Sequence, residues 1–204
     1  MNTSITANGT ASEPNVSRGG DTGSNLQQGK SQETAVLGGG CFWCTDAVFQ
    51  GVRGVKAVIP GYSGGHIDRP SYLAVCTGQT GHIEVVKVDF DPAVIDYATI
   101  LEIFFATHDP TTPDRQGADV GPQYASAIFC QNPRQHEVAQ RVIADVQAQL
   151  GRPVVTHLYD SEIFWPAESE HHDYYARNPG QGYCRAVIEP KLAKFRQRYR
   201  EWLK

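Results

Sequence analysis

Apolar and polar positions recur along this chain with two periods, and the switches between them mark the elements. Residues 34–37 form a short apolar run closed by Gly38, Gly39 and Gly40, which predicts a strand ending in a tight turn. From 42 to 50, Phe42, Trp43, Ala47 and Val48 return with helical spacing. Residues 52–59 alternate as a strand does, and the glycine-rich stretch 61–65 reads as a loop. The clearest strand covers 82–90, and an apolar helix follows over 98–108. Pro110, Pro113, Gly117 and Gly121 place 109–121 in a loop longer than most. A strand is predicted over 124–130. Asn132 and Pro133 then open a helix that Gly151 closes. A strand over 154–159, a helix over 167–177 and a basic amphipathic helix over 191–203 complete the pattern. Leu192, Phe195 and Tyr199 share one side of that last helix, and its Lys and Arg residues read as a solvated face. There is no internal repeat. Strands and helices mix without regular alternation, which predicts an α+β fold with a mixed sheet.

Composition adds boundaries. The 204 residues suffice for one domain with a real core. A net charge of −4 gives no electrostatic reason to expect nucleic acid or an anionic membrane as partner. No apolar run approaches the roughly 18 residues needed to cross a bilayer. Residues 1–32 are rich in Ser, Thr, Asn and Gly and poor in large apolar side chains, so they predict a disordered tail ahead of a folded domain at 33–204. The tail lacks a basic start followed by an apolar stretch, so a cytoplasmic chain is expected. Its two Asn-x-Ser/Thr triplets, at Asn8 and Asn15, are then coincidental. The cysteines are Cys41, Cys44, Cys76, Cys130 and Cys184, an odd number that argues against a static disulfide framework. Cys76 and Cys130 read as core fillers.

Candidate chemistry begins at Gly38–Cys44. A glycine turn between strand and helix would place Cys41 at the helix N-terminus, where uncovered amides and the helix dipole favour a thiolate. The alternative for Cys41 is a buried structural thiol. Phe42 and Trp43 either fill the core or wall a small apolar pocket beside the sulfur. In the strand over 82–90, Glu84 shares a face with Val86, Val88 and Phe90. Burial there would raise its pKa and keep it a proton donor at neutral pH; at the strand end it would instead point into water. Tyr62 and Tyr124 are phenols that could donate to an oxygen without adding charge, or ordinary half-buried tyrosines.

These residues sit in segments that resemble the A-class peptide methionine sulfoxide reductases. The segments are Gly40-Cys41-Phe42-Trp43, Gly61-Tyr62-Ser63-Gly64-Gly65, Thr80 to Val86, His108-Asp109-Pro110-Thr111, Asp119 to Tyr124, Pro166-Ala167-Glu168 leading into His171-His172-Asp173-Tyr174, and Gly182-Tyr183-Cys184. They occur in the family's order and span about 33–198. The resemblance implies a two-layer α/β sandwich with a ferredoxin-like core. It implies reduction of methionine S-sulfoxide, free or in proteins, by a nucleophilic Cys41, with Glu84 as the acid and Tyr62 and Tyr124 binding the oxygen. Phe42, Trp43 and Asp119 would contact substrate, with His171 and Tyr174 behind them. Cys184 would close a disulfide on the Cys41 sulfenic acid, with Cys44 as the alternative. Thioredoxin or a small dithiol would supply electrons, with no metal or other cofactor and no partner subunit, the chain acting as a monomer. Ala125 stands where an arginine is common, and Asp46 where a glutamate is usual. Two other readings compete. A thioredoxin-type oxidoreductase would use Cys41 and Cys44 alone. A zinc module would need a second close pair of ligands, for which His171 and His172 are the candidate.

Overall fold

The structure is a computed structural model that describes residues 32–204. The tail and its Asn-x-Ser/Thr triplets therefore fall outside the described residues, apart from residue 32. A six-stranded sheet carries the fold, in the order β7-β6-β1-β3-β2-β8. Its strands are β1 (Glu33–Gly39), β2 (Val55–Ser63), β3 (Ile83–Phe90), β6 (Ser126–Phe129), β7 (His157–Tyr159) and β8 (Trp165–Pro166). Neighbours pair antiparallel except β6 and β7, which are parallel, so the sheet is mixed. With helices α1 (Phe42–Gln50) and α3 (Tyr97–Thr107), the central strands trace β1-α1-β2-β3-α3-β6. Their spatial order β6-β1-β3-β2 is a ferredoxin-like core. Among the described residues, no helix is long and apolar enough to cross a membrane.

Alternation along the strands builds two layers. Leu37, Val86, Val88, Phe90 and Ile128 face the helices. They bury Val48 and Phe49 of α1, Ile100, Leu101 and Phe104 of α3, and Leu192 and Phe195 of α6 (Glu189–Arg198). Val36, Ile83, Val85, Ala127 and Phe129 face the other way into a smaller cluster covered by Phe164. Helix α4 (Pro133–Leu150) packs outside α3. The Asn132 side chain accepts from the Gln135 amide at 2.9 Å, and Gly151 ends the helix in the left-handed region at φ 61°.

Several boundaries differ from the pattern-based expectation. The stretch 61–65 is not all loop: β2 runs on through Ser63, because Gly61, Tyr62 and Ser63 pair with Val85, Glu84 and Ile83. A Cβ at Gly61 would lie 2.4 Å from the Trp165 carbonyl oxygen, so glycine here admits β8 rather than a turn. No element was expected between 66 and 81, yet Ser71 caps a short helix, α2 (Tyr72–Cys76), by accepting from the Ala74 amide. Cys76 ends that helix exposed, not as a core filler, because one turn of helix at the surface cannot bury all its sides. The helix expected over 167–177 is broken into a 3-10 turn, Ser169–His171, and α5 (Tyr174–Arg177) by Asp173 at φ 49°. The loop 109–121 holds two paired two-residue strands, β4 (Arg115–Gln116) and β5 (Asp119–Val120). The last helix begins earlier than expected, with a π-helical stretch, Cys184–Ile188, leading into α6.

The turn at Gly40 is the tightest joint between sheet and helices. Its φ is 86°, and a Cβ there would fall 2.6 Å from Cβ and 2.4 Å from Cγ of Gln116. Gln116 cannot swing away, since its amide group both accepts from and donates to the Asp109 backbone. Gly40→Ala is therefore expected to destabilise the fold by about 1–3 kcal/mol in denaturant unfolding. A loss within experimental error would show that the turn relaxes freely.

Candidate active site

The turn delivers Cys41 to the N-cap position of α1, 7% exposed. Directly across, β3 carries Glu84 on its helix-facing side, 1% exposed. The first amide of α1, Phe42 N–H, donates to Glu84 Oε2 at 3.0 Å. Burial raises the Glu84 pKa to about 8, against the pull of that amide. The carboxyl group is thus mostly protonated at neutral pH. The helix amide expected to support a Cys41 thiolate is taken by Glu84 instead.

The Cys41 thiol is also not lowered at rest. Burial first, then its hydrogen bond to Cys44, hold it above the ordinary thiol value. Cys44 receives that bond and is drawn down to about 7, with burial opposing and the Lys191 charge assisting. The two thiols therefore titrate as a pair, one pushed up and the other drawn down. Tyr183 covers both thiols. Its hydroxyl lies 3.8 Å from Cys44 Sγ and donates to Asp119 Oδ2 at 2.7 Å. Asp119 is thereby occupied by Tyr183 rather than turned only toward an incoming ligand.

An aromatic enclosure stands over this centre. Trp43 stacks face to face on Tyr174, centroids 3.8 Å apart, and donates from Nε1 to His171 Nδ1 at 3.2 Å. His171, packed against Phe42 and Trp43, is lowered in pKa by burial. The ring that completes the enclosure is Tyr72, which pattern reading passed over. It lies 4.4 Å from His171 and 6.2 Å from Phe42, centroid to centroid. Burial, a hydrogen bond to Cys76 and the nearby Glu84 keep its phenol protonated. Tyr124, at the end of the 3-10 turn Pro122–Tyr124, is raised by burial and then by the charges of Glu84 and Cys41. Tyr62 is different. It is fully buried, and its hydroxyl donates to Glu168 Oε2 at 2.9 Å. The Tyr62 hydroxyl expected at an oxygen is therefore engaged by Glu168, while Tyr72 and Tyr124 lie within reach of the Glu84 charge. The missed signal was the Pro70-Ser71-Tyr72 capping sequence, whose helix is too short to show a period.

Cys184 was expected on a flexible segment. Gly180 and Gly182 are indeed unobstructed, but Cys184 itself is 0% exposed within the π-helical stretch, where it feels Cys44. Asp46, buried under α1, is raised to about 7 by burial; the Gln50 amide donates to it and to Asp173. Ala125 is buried beside the second core cluster. Among the described residues, no three His, Cys, Asp or Glu side chains converge as metal ligands, so the zinc reading finds no support. A cavity of about 910 Å³ lies between α3, α4 and α6, lined by His108, Gln116 and Lys191 but by neither Cys41 nor Glu84.

Residues 33–203 match the family described as peptide methionine sulfoxide reductase. The chain belongs to that family. It is 56% identical over 182 residues to a peptide methionine sulfoxide reductase MsrA of Ralstonia nicotianae, covering 86% of this chain and 95% of the relative. Its fold is similar to that of methionine sulfoxide reductase A of Corynebacterium diphtheriae, with TM-score 0.66, 33% identity, and coverage of 78% and 80%. Mxr1 of Saccharomyces cerevisiae in reduced form is also similar, with TM-score 0.69, 28% identity, and coverage of 75% and 89%.

The raised Glu84 carries a thermodynamic signature. Between 4.5 and about 8 the unfolded chain has released this proton while the folded chain retains it. The folded state binds more protons there, so this group's contribution to stability falls as pH rises. Glu84→Gln should melt higher than the wild type by a margin that grows from about pH 5 to about pH 8. Parallel melting curves over that range would contradict a raised carboxyl.

Proposed function

We propose that this family member reduces methionine S-sulfoxide, free or in oxidised proteins, in a cytoplasmic setting. The observation that carries the reading is the neutral Glu84 buried beside Cys41 under the aromatic rings. The substrate methyl group packs against Phe42 and Trp43, and the sulfoxide oxygen faces Glu84, Tyr72 and Tyr124. Asp119 and Tyr183 border the same opening. Oriented donors at that oxygen stabilise the negative charge it gains as the sulfur is attacked.

The Cys41 sulfur attacks the sulfoxide sulfur and passes its proton to Cys44, its hydrogen-bond partner. Glu84 protonates the oxygen. The hydroxyl then passes from the substrate sulfur to the Cys41 sulfur as the bond between the two sulfurs breaks, so methionine leaves and Cys41 is left as a sulfenic acid. A second thiol then attacks that sulfur, forming a disulfide and expelling water. Thioredoxin or another dithiol reopens the disulfide by exchange. A thioredoxin-type oxidoreductase would have no use for Glu84 or the aromatic enclosure.

Incubation with dithiothreitol and each sulfoxide epimer should yield methionine from the S form alone. Cys41→Ser should remain folded and inactive; activity in that variant ends the proposal. Glu84→Gln should slow single-turnover methionine release about 10²–10⁴-fold. The wild-type rate should decline as pH rises past about 8.

The resolving thiol has two readings. The family resemblance implies Cys184. The hydrogen bond between the Cys41 and Cys44 thiols, with Cys184 fully buried, favours Cys44. Tryptic mapping after one turnover separates them. Closure on Cys44 leaves the 31–53 peptide lighter by two hydrogens, whereas closure on Cys184 links it to the 178–185 peptide.

A further inference from the structure

Glu168 makes three contacts that the reaction outlined above does not use. Its Oε1 accepts the Tyr72 backbone N–H at 2.8 Å, and its Oε2 accepts the Tyr62 hydroxyl at 2.9 Å. His171 Nε2 stands 3.9 Å from the same Oε2. Burial opposes its charge, but the donors and His171 hold its pKa below the usual carboxylate value. The carboxylate therefore joins strand β2 and the first residue of α2 to the distant turn Ser169–His171, which Glu168 itself precedes.

The mechanical consequence concerns Tyr72. Helix α2 spans only five residues and is largely exposed, with only Val75 of the helix buried. So short a helix has almost no stability of its own. It cannot hold a side chain to the tolerance that an oxygen-binding hydroxyl needs. Tyr62, by contrast, is immobile, fully buried and paired in register with Glu84. Glu168 transfers that rigidity. Two charge-assisted hydrogen bonds connect the Tyr72 backbone to a phenol fixed in the core strand next to the acid.

We infer that Glu168 is the positioning residue that sets the Tyr72 hydroxyl against the sulfoxide oxygen, with Tyr62 as its fixed anchor. This rests on the reductase reading above, and on Tyr72 acting through its hydroxyl. A glutamine at this position supplies one acceptor oxygen and turns an N–H donor toward the second donor. Glu168→Gln should therefore keep one of the two bonds, and Glu168→Ala neither.

The test is a double-mutant cycle on the single-turnover rate of methionine release from a peptide S-sulfoxide, with each variant first checked for folding by thermal melting. Glu168→Ala should slow the step about 10- to 100-fold, the scale of losing one oriented donor. Glu168→Gln should fall between it and the wild type. In a Tyr72→Phe background the Glu168→Ala change should cost less than about threefold, because the hydroxyl it positions is gone. A role confined to general stability would instead slow both backgrounds equally, and equal losses overturn the inference. If Glu168→Ala does not fold, the cycle is run with Glu168→Gln, and equal losses again decide against it. A wild type that forms no methionine defeats the reductase reading itself, whereas an active wild type with equal losses defeats only the role of Glu168.

Discussion

The hydrogen bond from Phe42 N–H to Glu84 Oε2, at 3.0 Å, is the constraint around which the rest is arranged. A carboxyl group buried on the helix-facing side of a sheet needs a partner, because an unsatisfied polar group there costs on the order of 1–3 kcal/mol. The first turn of a helix has free amides that need acceptors. Bringing the two together satisfies both and fixes the start of α1 over β3. Cys41 is the residue immediately before that amide, so the sulfur and the acid cannot drift apart independently. One contact thus sets the spacing between the Cys41 thiol and the Glu84 carboxyl.

The surroundings keep that acid neutral and the thiol pair compact. Apolar side chains from the sheet, α1 and α3 remove water from the base of the site, which is what raises Glu84. The same dryness pushes the Cys41 thiol up, while the bond from Cys41 draws Cys44 down. The aromatic rings are held from outside by polar contacts: Trp43 by His171, Tyr183 by Asp119, and Tyr72 by Glu168. His171 and Glu168 come from one turn and Asp119 from the loop 109–121, so the walls of the enclosure are held by segments distant in sequence from Cys41.

Much of this was readable from residue order. The alternation at 83–90 placed Glu84 on the face of Val86, Val88 and Phe90 before any packing was known, since strand periodicity allows no other face. The three glycines before Cys41 announced the strand–turn–helix joint, and Asn132, Pro133 and Gly151 bounded α4 through local capping chemistry. Local rules failed where the controlling contact was distant. Gly61 looked like a loop residue, but its missing side chain serves β8, more than 100 positions on. Tyr62 looked like an available phenol, but Glu168 claims it.

The sequence by itself determined the α+β class, the family and the order of its motifs, because those depend on residue identity and on periods that span only a few residues. Tertiary structure decided which hydroxyls are engaged, in which direction each thiol of the Cys41–Cys44 pair is shifted, and that Glu84 is held above the usual carboxylate value. Those properties come from burial and from partners far away in the chain, and neither can be computed from a residue's neighbours in sequence. Tyr72 shows the difference most plainly: a tyrosine on five residues of surface helix has no periodic signal, and it becomes part of the site only when the fold brings Phe42, His171 and Glu168 to it.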